Sequence, residues 1–140
     1  MDWKIRPMTV EDGSSVRKLW ENSEGINISD ADTPAAVKKL VQQIPNFSLV
    51  AEDPRGAIIG SVLGSCDTRR GYIHHLVVCR EKRGKGLGKT LMMEIERAFR
   101  AAGIKKIHLF VVSENEKVCD FYRKIGWTTR QDVILMSKKL

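Results

Sequence analysis

Apolar side chains recur along this chain with two periods, and the switches between them mark out its elements. Residues 3–6 alternate weakly and run into Pro7, as a first strand would. Thr9 can cap a helix carrying Val16, Leu19 and Trp20. Residues 23–32 are polar and turn-rich. Thr33-Pro34 then supplies a cap and a first-turn proline for a helix whose stripe is Val37, Leu40, Val41 and Ile44, stopped by Pro45. Residues 47–52 read as a strand, Asp53-Pro54-Arg55-Gly56 as a turn, and residues 57–66 as the returning strand. A second turn over 67–71 leads to a third strand of this meander at 72–79. A long helix follows, with Leu87, Leu91, Met92, Ile95, Phe99 and Ala102 on one face and Gly103 at its end. Residues 107–112 carry no internal charge, which predicts a central strand buried on both faces. Residues 115–125 are helical and closed by Gly126, and 127–129 and 132–136 are short final strands. The order β-α-α-β-β-β-α-β-α-β-β describes an α/β fold: a mixed sheet with a meander and one right-handed strand-helix-strand unit. There is no internal repeat, linker or low-complexity tract, so residues 1–140 read as one domain.

Bulk properties narrow the class. At 140 residues the chain can bury roughly 68–70% of its unfolded surface, enough to need no disulfide or metal. No apolar run approaches the ~20 residues of a membrane span. The opening residues Met1 to Arg6 lack the apolar stretch of a secretory signal, so a cytoplasmic protein with no membrane partner is expected. Cys66, Cys79 and Cys119 are scattered and read as buried thiols. His74, His75 and His108 lack metal-site spacing, because adjacent histidines point to opposite faces of a strand, so no metal is expected.

The net charge of +7 asks for an anionic partner or merely a soluble surface, and its distribution decides. Arg80, Lys82, Arg83, Lys85 and Lys89 crowd one stretch opposed only by Glu81. The same stretch holds Gly84, Gly86 and Gly88, just before a helix. A strand entering a basic, glycine-rich turn at a helix N-terminus suits a diphosphate: unpaired amides converge there and the helix dipole adds positive potential. Nucleic acid is not expected, since no aromatic residue interleaves with these cations.

Two phosphate loops fail on spacing. The P-loop pattern would need glycine where Arg83 stands, and the dinucleotide fingerprint counted from Gly84 would need glycine at Lys89. What fits is Arg83-x-x-Gly86-x-Gly88 after Leu76-Val77-Val78, together with Asn115 followed by Phe121-Tyr122-Arg123-Lys124-Ile125-Gly126-Trp127. These resemble the Q/R-x-x-G-x-G/A and N…FYxKxGF segments of the GNAT N-acetyltransferase superfamily, and the likeness extends over nearly the whole chain.

The resemblance implies a GNAT-like acyl-CoA acyltransferase fold and an enzyme that moves the acetyl group of acetyl-CoA to a primary amine. It implies that the backbone of Arg83, Gly84, Lys85, Gly86, Leu87, Gly88 and Lys89 holds the CoA pyrophosphate. Leu76, Val77 and Val78 would splay from the neighbouring strand and pair with the pantetheine arm, with the amide near Val78 polarising the thioester. Asn115 would bond the pantetheine and Tyr122 would protonate the departing thiolate. Seven residues apart on a helix, these two fall within about 20° of each other. As ordinary structure, Asn115 is a helix cap and Tyr122 a core-edge residue. Where relatives place a glutamate base, this chain has Tyr72 or Phe110. His74 is the leading base candidate, with His75 behind it, and both can equally be sheet residues. Glu24, Asp30 and Asp32 are alternatives for meeting a basic substrate. Arg80 stands where such proteins often have proline, which should alter the loop entry only slightly. A homodimer through the last strands is compatible with the family, as is a non-catalytic acyl-CoA-binding module, which would not need Tyr122.

Overall fold

The computed structural model describes residues 2–140; Met1, counted in the expected domain, lies outside the described residues. Strands β1 (Lys4–Pro7), β2 (Leu49–Glu52), β3 (Ile58–Cys66), β4 (Gly71–Val78) and β5 (Ile107–Leu109) form one sheet in the order β1-β2-β3-β4-β5. The pairs from β1 to β4 are antiparallel, as a meander requires, and β5 joins β4 in parallel after the crossover helix α3 (Leu87–Ala101). Asp53 and Asp67 build the two hairpin turns as expected, each carboxylate accepting two backbone N–H groups at 2.9 Å.

Helices cover both faces of the sheet. On one, α3 buries Leu87, Leu91, Met92, Ile95 and Phe99 against Leu49, Ala51, Val62 and Ile73. On the other, α1 (Gly13–Glu21) and α2 (Pro34–Gln43) bury Val16, Leu19, Trp20, Val37 and Val41 against Val50, Leu63 and Val77. Thr33 caps α2 by accepting the Ala36 N–H at 3.2 Å. Thr9 behaves differently: it precedes a 3-10 turn, and Asp12 accepts its N–H at 2.7 Å. Inside the second layer the Trp20 indole N–H donates to Ser61 at 3.1 Å, so its one polar atom is satisfied.

Strand β4 contains an extra residue. Ser61 pairs with Val77 and Leu63 with His74, so two steps along β3 match three along β4. His75 sits at the irregularity with φ of +50°. A bulge of this kind flips the alternation beyond it. Ile73 and Val77, four apart, would share a face in a regular strand; here Ile73 packs under α3 and Val77 under α1.

Three sequence expectations need correction. The strand predicted over 107–112 ends at Leu109, is only half-buried, and lies at the sheet edge rather than its centre. The helix predicted over 115–125 is α4 (Val118–Lys124), preceded by a 3-10 turn at Ser113–Asn115. The final strands at 127–129 and 132–136 do not form. Their apolar pattern is strand-like, but a strand needs a ladder, and the only nearby edge is the three-residue β5. Arg130 instead folds back on Asp132 with bonds of 2.8 and 2.7 Å, and Val133, Ile134, Leu135 and Met136 are left exposed.

Candidate active site

Pairing between β4 and β5 covers only Gly71 to Ile73 against Ile107 to Leu109. Beyond that point the two chains part, and a cleft of about 500 Å³ opens between them. His74, His75, Leu76, Val77 and Val78 line one wall; Phe110, Val111 and Val112 line the other, with Asn115, Val118 and Tyr122 behind them. The parting of Leu76, Val77 and Val78 from their neighbour is thus present, and it begins at the bulge.

At the cleft's end β4 leads through a 3-10 turn, Arg80–Lys82, into the glycine loop and α3. Arg80, in proline's usual place, starts this turn. Among the described residues, no backbone or side-chain acceptor meets the amides of Gly84, Lys85, Gly86, Leu87, Gly88 or Lys89; the first bonded N–H of α3 is that of Thr90, to Gly86 at 3.0 Å. Six consecutive N–H groups at the head of a 15-residue helix are therefore open to an outside acceptor. Gly84 and Gly86 have φ of +77° and +89°, a backbone that side-chain-bearing residues avoid, and among the described residues nothing lies within 4 Å of where their Cβ atoms would stand. Their role is conformational on the inside and permissive on the outside. Leu87 turns its side chain wholly into the core, which fixes the direction its amide faces.

The Arg83 side chain has another occupation. Its Nε donates to the Val78 carbonyl at 2.9 Å and its Nη1 to Glu24 at 3.2 Å. Arg80 also pairs with Glu24. The Arg83 side chain, then the backbone N–H of Glu24 itself and the Arg80 side chain, hold the Glu24 carboxyl below the usual range. Glu24 therefore ties the α1–α2 connection to the loop instead of standing ready for a basic substrate.

Tyr122 faces the cleft from α4, its ring packed edge-on against Phe121 and Trp127 at centroid distances of 5.1 and 6.2 Å. Among the described residues no sealed side-chain oxygen or nitrogen lacks a partner, so the Tyr122 hydroxyl, which bonds nothing among them, is open to solvent; Tyr122 borders both this cleft and a second hollow on the other side of β5, beside Cys119 and Trp127. Burial, with Cys119 adding to it, pushes the phenol up to about 12, which keeps its proton in place at any physiological pH. Asn115 lies before α4 rather than on it, and the cap position of α4 is Lys117, which makes no side-chain cap. Its amide instead meets Gly25 across the cleft mouth, where a Cβ on Gly25 would come within 2.6 Å of Nδ2.

The two histidines do not point to opposite faces, as regular strand geometry predicts; the bulge brings both to the cleft. His74 lies along Phe110 with centroids 6.4 Å apart and makes no hydrogen bond among the described residues, and burial, then the neighbouring His75, lowers its proton affinity. His75 packs on Trp20 at 5.0 Å, and its Nε2 meets Asp32 Oδ1 at 2.8 Å. Asp32 was legible as a polar turn residue, since Ser29-x-x-Asp32 has cap spacing, but its partner 43 residues away was not. Asp30 is exposed. Among the described residues no group of three metal-ligating side chains comes together, and no helix is long and apolar enough to cross a membrane.

A mixed sheet opened between two parallel strands, with bare amides at a helix head beside the opening, defines an acyltransferase-like architecture. The model of the acetyltransferase (GNAT) family matches residues 14–127. An acetyltransferase of Pectobacterium atrosepticum is 33% identical over 137 residues, covering 98% of this chain and 95% of that one. A solved acetyltransferase of Trypanosoma brucei has 27% identity and a TM-score of 0.72 over 98% of this chain and 100% of its own. The PaiA N-acetyltransferase of Thermoplasma acidophilum, solved with coenzyme A, shares the fold at a TM-score of 0.83 with 20% identity, covering 95% and 94%. The chain belongs to the GNAT acetyltransferase family.

Proposed function

We propose that this protein is an N-acetyltransferase that takes the acetyl group of acetyl-CoA and passes it to a primary amine by direct attack on the thioester. The observation that carries the reading is the run of six unpartnered amides from Gly84 to Lys89 beside the β4–β5 cleft. A diphosphate supplies the acceptors those donors lack, and the exposed Lys85 and Lys89 add positive charge around them. The edge of β4 from Leu76 to Val78, left without a neighbouring strand, can pair with the amide groups of a pantetheine arm. Asn115 offers an amide at the same cleft mouth.

Tyr122 serves as the donor to the sulfur that leaves as thiolate. A backbone N–H near Val78 would stabilise the oxyanion, a contribution of about 3 kcal/mol. The amine must first lose a proton, which for a lysine-like acceptor costs roughly 4–5 kcal/mol at pH 7. A histidine in the cleft wall fits that task, His74 and His75 being the two available. A non-catalytic acyl-CoA binder would use the same loop, but it gives no reason for a protonated Tyr122 bordering the cleft.

Thermal unfolding tests the reading. Acetyl-CoA at a hundred times its Kd should stabilise the fold by about 2.7 kcal/mol, a rise of roughly 8–10 °C for a chain of this size. No rise at millimolar acetyl-CoA would remove the cofactor from the proposal. Release of free CoA thiol in the presence of amines and peptides would then identify the acceptor.

A further inference from the structure

We propose that His75, backed by Asp32, is the base that takes the proton from the incoming amine. The assignment rests on the transferase reading above and chooses between its two histidines.

Geometry separates them. His75 owes its place in the cleft to the extra residue of β4, and its φ of +50° is a left-handed backbone that a non-glycine residue adopts only under strain. Such strain persists where the surroundings over-determine it. Here the surroundings are Trp20, whose ring lies 5.0 Å away and is itself pinned by Ser61, and Asp32, which meets Nε2 at 2.8 Å. Asp32 is 5% exposed, and its second oxygen accepts the Ser29 N–H at 2.9 Å. A buried carboxylate against Nε2 keeps the ring proton on that nitrogen. Nδ1 then carries the lone pair, and no protein group among the described residues bonds to it.

The pairing also supplies what a base needs after it has acted. An imidazolium beside the Asp32 carboxylate gains a counter-charge at 2.8 Å, whereas an imidazolium at His74 gains none by contact. The other titratable groups lining this cleft are His74 from the same strand, Glu24 and Arg83 at its mouth and Tyr122 from α4. Glu24 is occupied by two arginines, and Tyr122 holds its proton. His75 and Tyr122 thus line one cleft as acceptor and donor.

Nδ1 of His75 takes one proton from the ammonium group, and the freed lone pair forms the N–C bond to the thioester carbon. The C–S bond breaks with its electron pair on sulfur, which Tyr122 meets with its O–H. Nitrogen sheds two protons: the first passes by way of His75 to solvent, and the second, released as the tetrahedral adduct collapses, goes to the departing sulfur, while Tyr122 holds that sulfur by a hydrogen bond and keeps its own proton.

His75→Gln tests this, because the glutamine amide can still donate to Asp32 while offering no basic nitrogen. With propylamine, free lysine and a peptide with an unblocked N-terminus as probes, kcat/KM should fall about 100-fold or more at pH 7. The deficit should shrink as pH rises toward that of the free amine, and the acetyl-CoA-induced rise in Tm should remain. A merely structural role gives a deficit independent of pH, and that result, or turnover equal to wild type, overturns the assignment. Should His75→Gln fail to fold, Asp32→Asn carries the same test, its deficit again confined to low pH. Wild-type protein that turns over none of the three amines overturns the transferase reading and this assignment with it.

Discussion

Replacing Tyr122 with phenylalanine removes one oxygen from the cleft and leaves the rest of the site in place. The ring remains packed against Phe121 and Trp127, and the hydroxyl bonds nothing among the described residues, so folding loses no hydrogen bond there. Cofactor affinity should therefore change by no more than about twofold. Turnover should change far more. A hydrogen bond to a charged group contributes about 1.5–3 kcal/mol, and if this one forms only as sulfur departs, kcat falls roughly 10- to 150-fold. The phenol at about 12 lies some 3–4 units above an ordinary thiol, so it donates a hydrogen bond to the departing sulfur and keeps its proton. The pH profile follows from the same shift. A raised phenol is neutral below about 12, so wild-type kcat should show no loss through pH 9–10, where an unperturbed tyrosine would begin to ionise. Stopped-flow detection of released thiol, beside calorimetric binding of acetyl-CoA, separates the two parameters. If kcat is unchanged, or if affinity drops in step with it, Tyr122 is not the donor to sulfur.

Two further changes probe the loop and the scaffold. Gly86→Ala places a Cβ at φ +89°, a conformation costing about 1–2 kcal/mol, so Tm should drop by roughly 3–8 °C. A loop that relaxes to escape the strain turns its amides away, and acetyl-CoA affinity should weaken about 5- to 30-fold by calorimetry; unchanged affinity would mean the amides do not hold the phosphates. Asp12→Ala removes a carboxylate that accepts from Arg6 at 2.8 and 2.9 Å and from Thr9, at a cost of about 2–3 kcal/mol near neutrality. Arg6 above all holds the Asp12 carboxyl below its usual range. Its stabilisation is thus present above the unfolded carboxyl value of about 3.9 and lost as pH falls below it, so melting curves of variant and wild type should converge in acid.

What could be read from the chain follows a division between local and distant causes. The face of α3 from Leu87 to Phe99, the turns at Asp53 and Asp67, and the cap at Thr33 are each fixed by residues within a few positions, and each forms where the pattern put it; Ala102, expected on that face, is the exposed cap just past the helix. The glycine loop was legible for the same reason: residues 83–89 carry their own conformation and charge. The bulge was not legible. Residues 71–78 alternate no differently from a regular strand, and nothing in two adjacent histidines says that one occupies an extra position. The contacts that hold His75, to Asp32 and Trp20, join segments far apart in the sequence, as does the bond from Trp20 to Ser61. The C-terminal run of Val133 to Met136 shows the converse failure: strand propensity was plain, but propensity does not supply a partner.

The inserted position in β4 has a bearing on how this protein can change. Removing a single residue between Ile73 and Val77 would leave those two three positions apart, so an uninterrupted strand would still seat Ile73 beneath α3 and Val77 beneath α1. Both core layers would survive the loss. What would go is the left-handed position of His75, and the parallel neighbour would then meet a straight edge along which it could zip closed toward Val112. The extra residue is thus dispensable to the packing and bears on the opening alone.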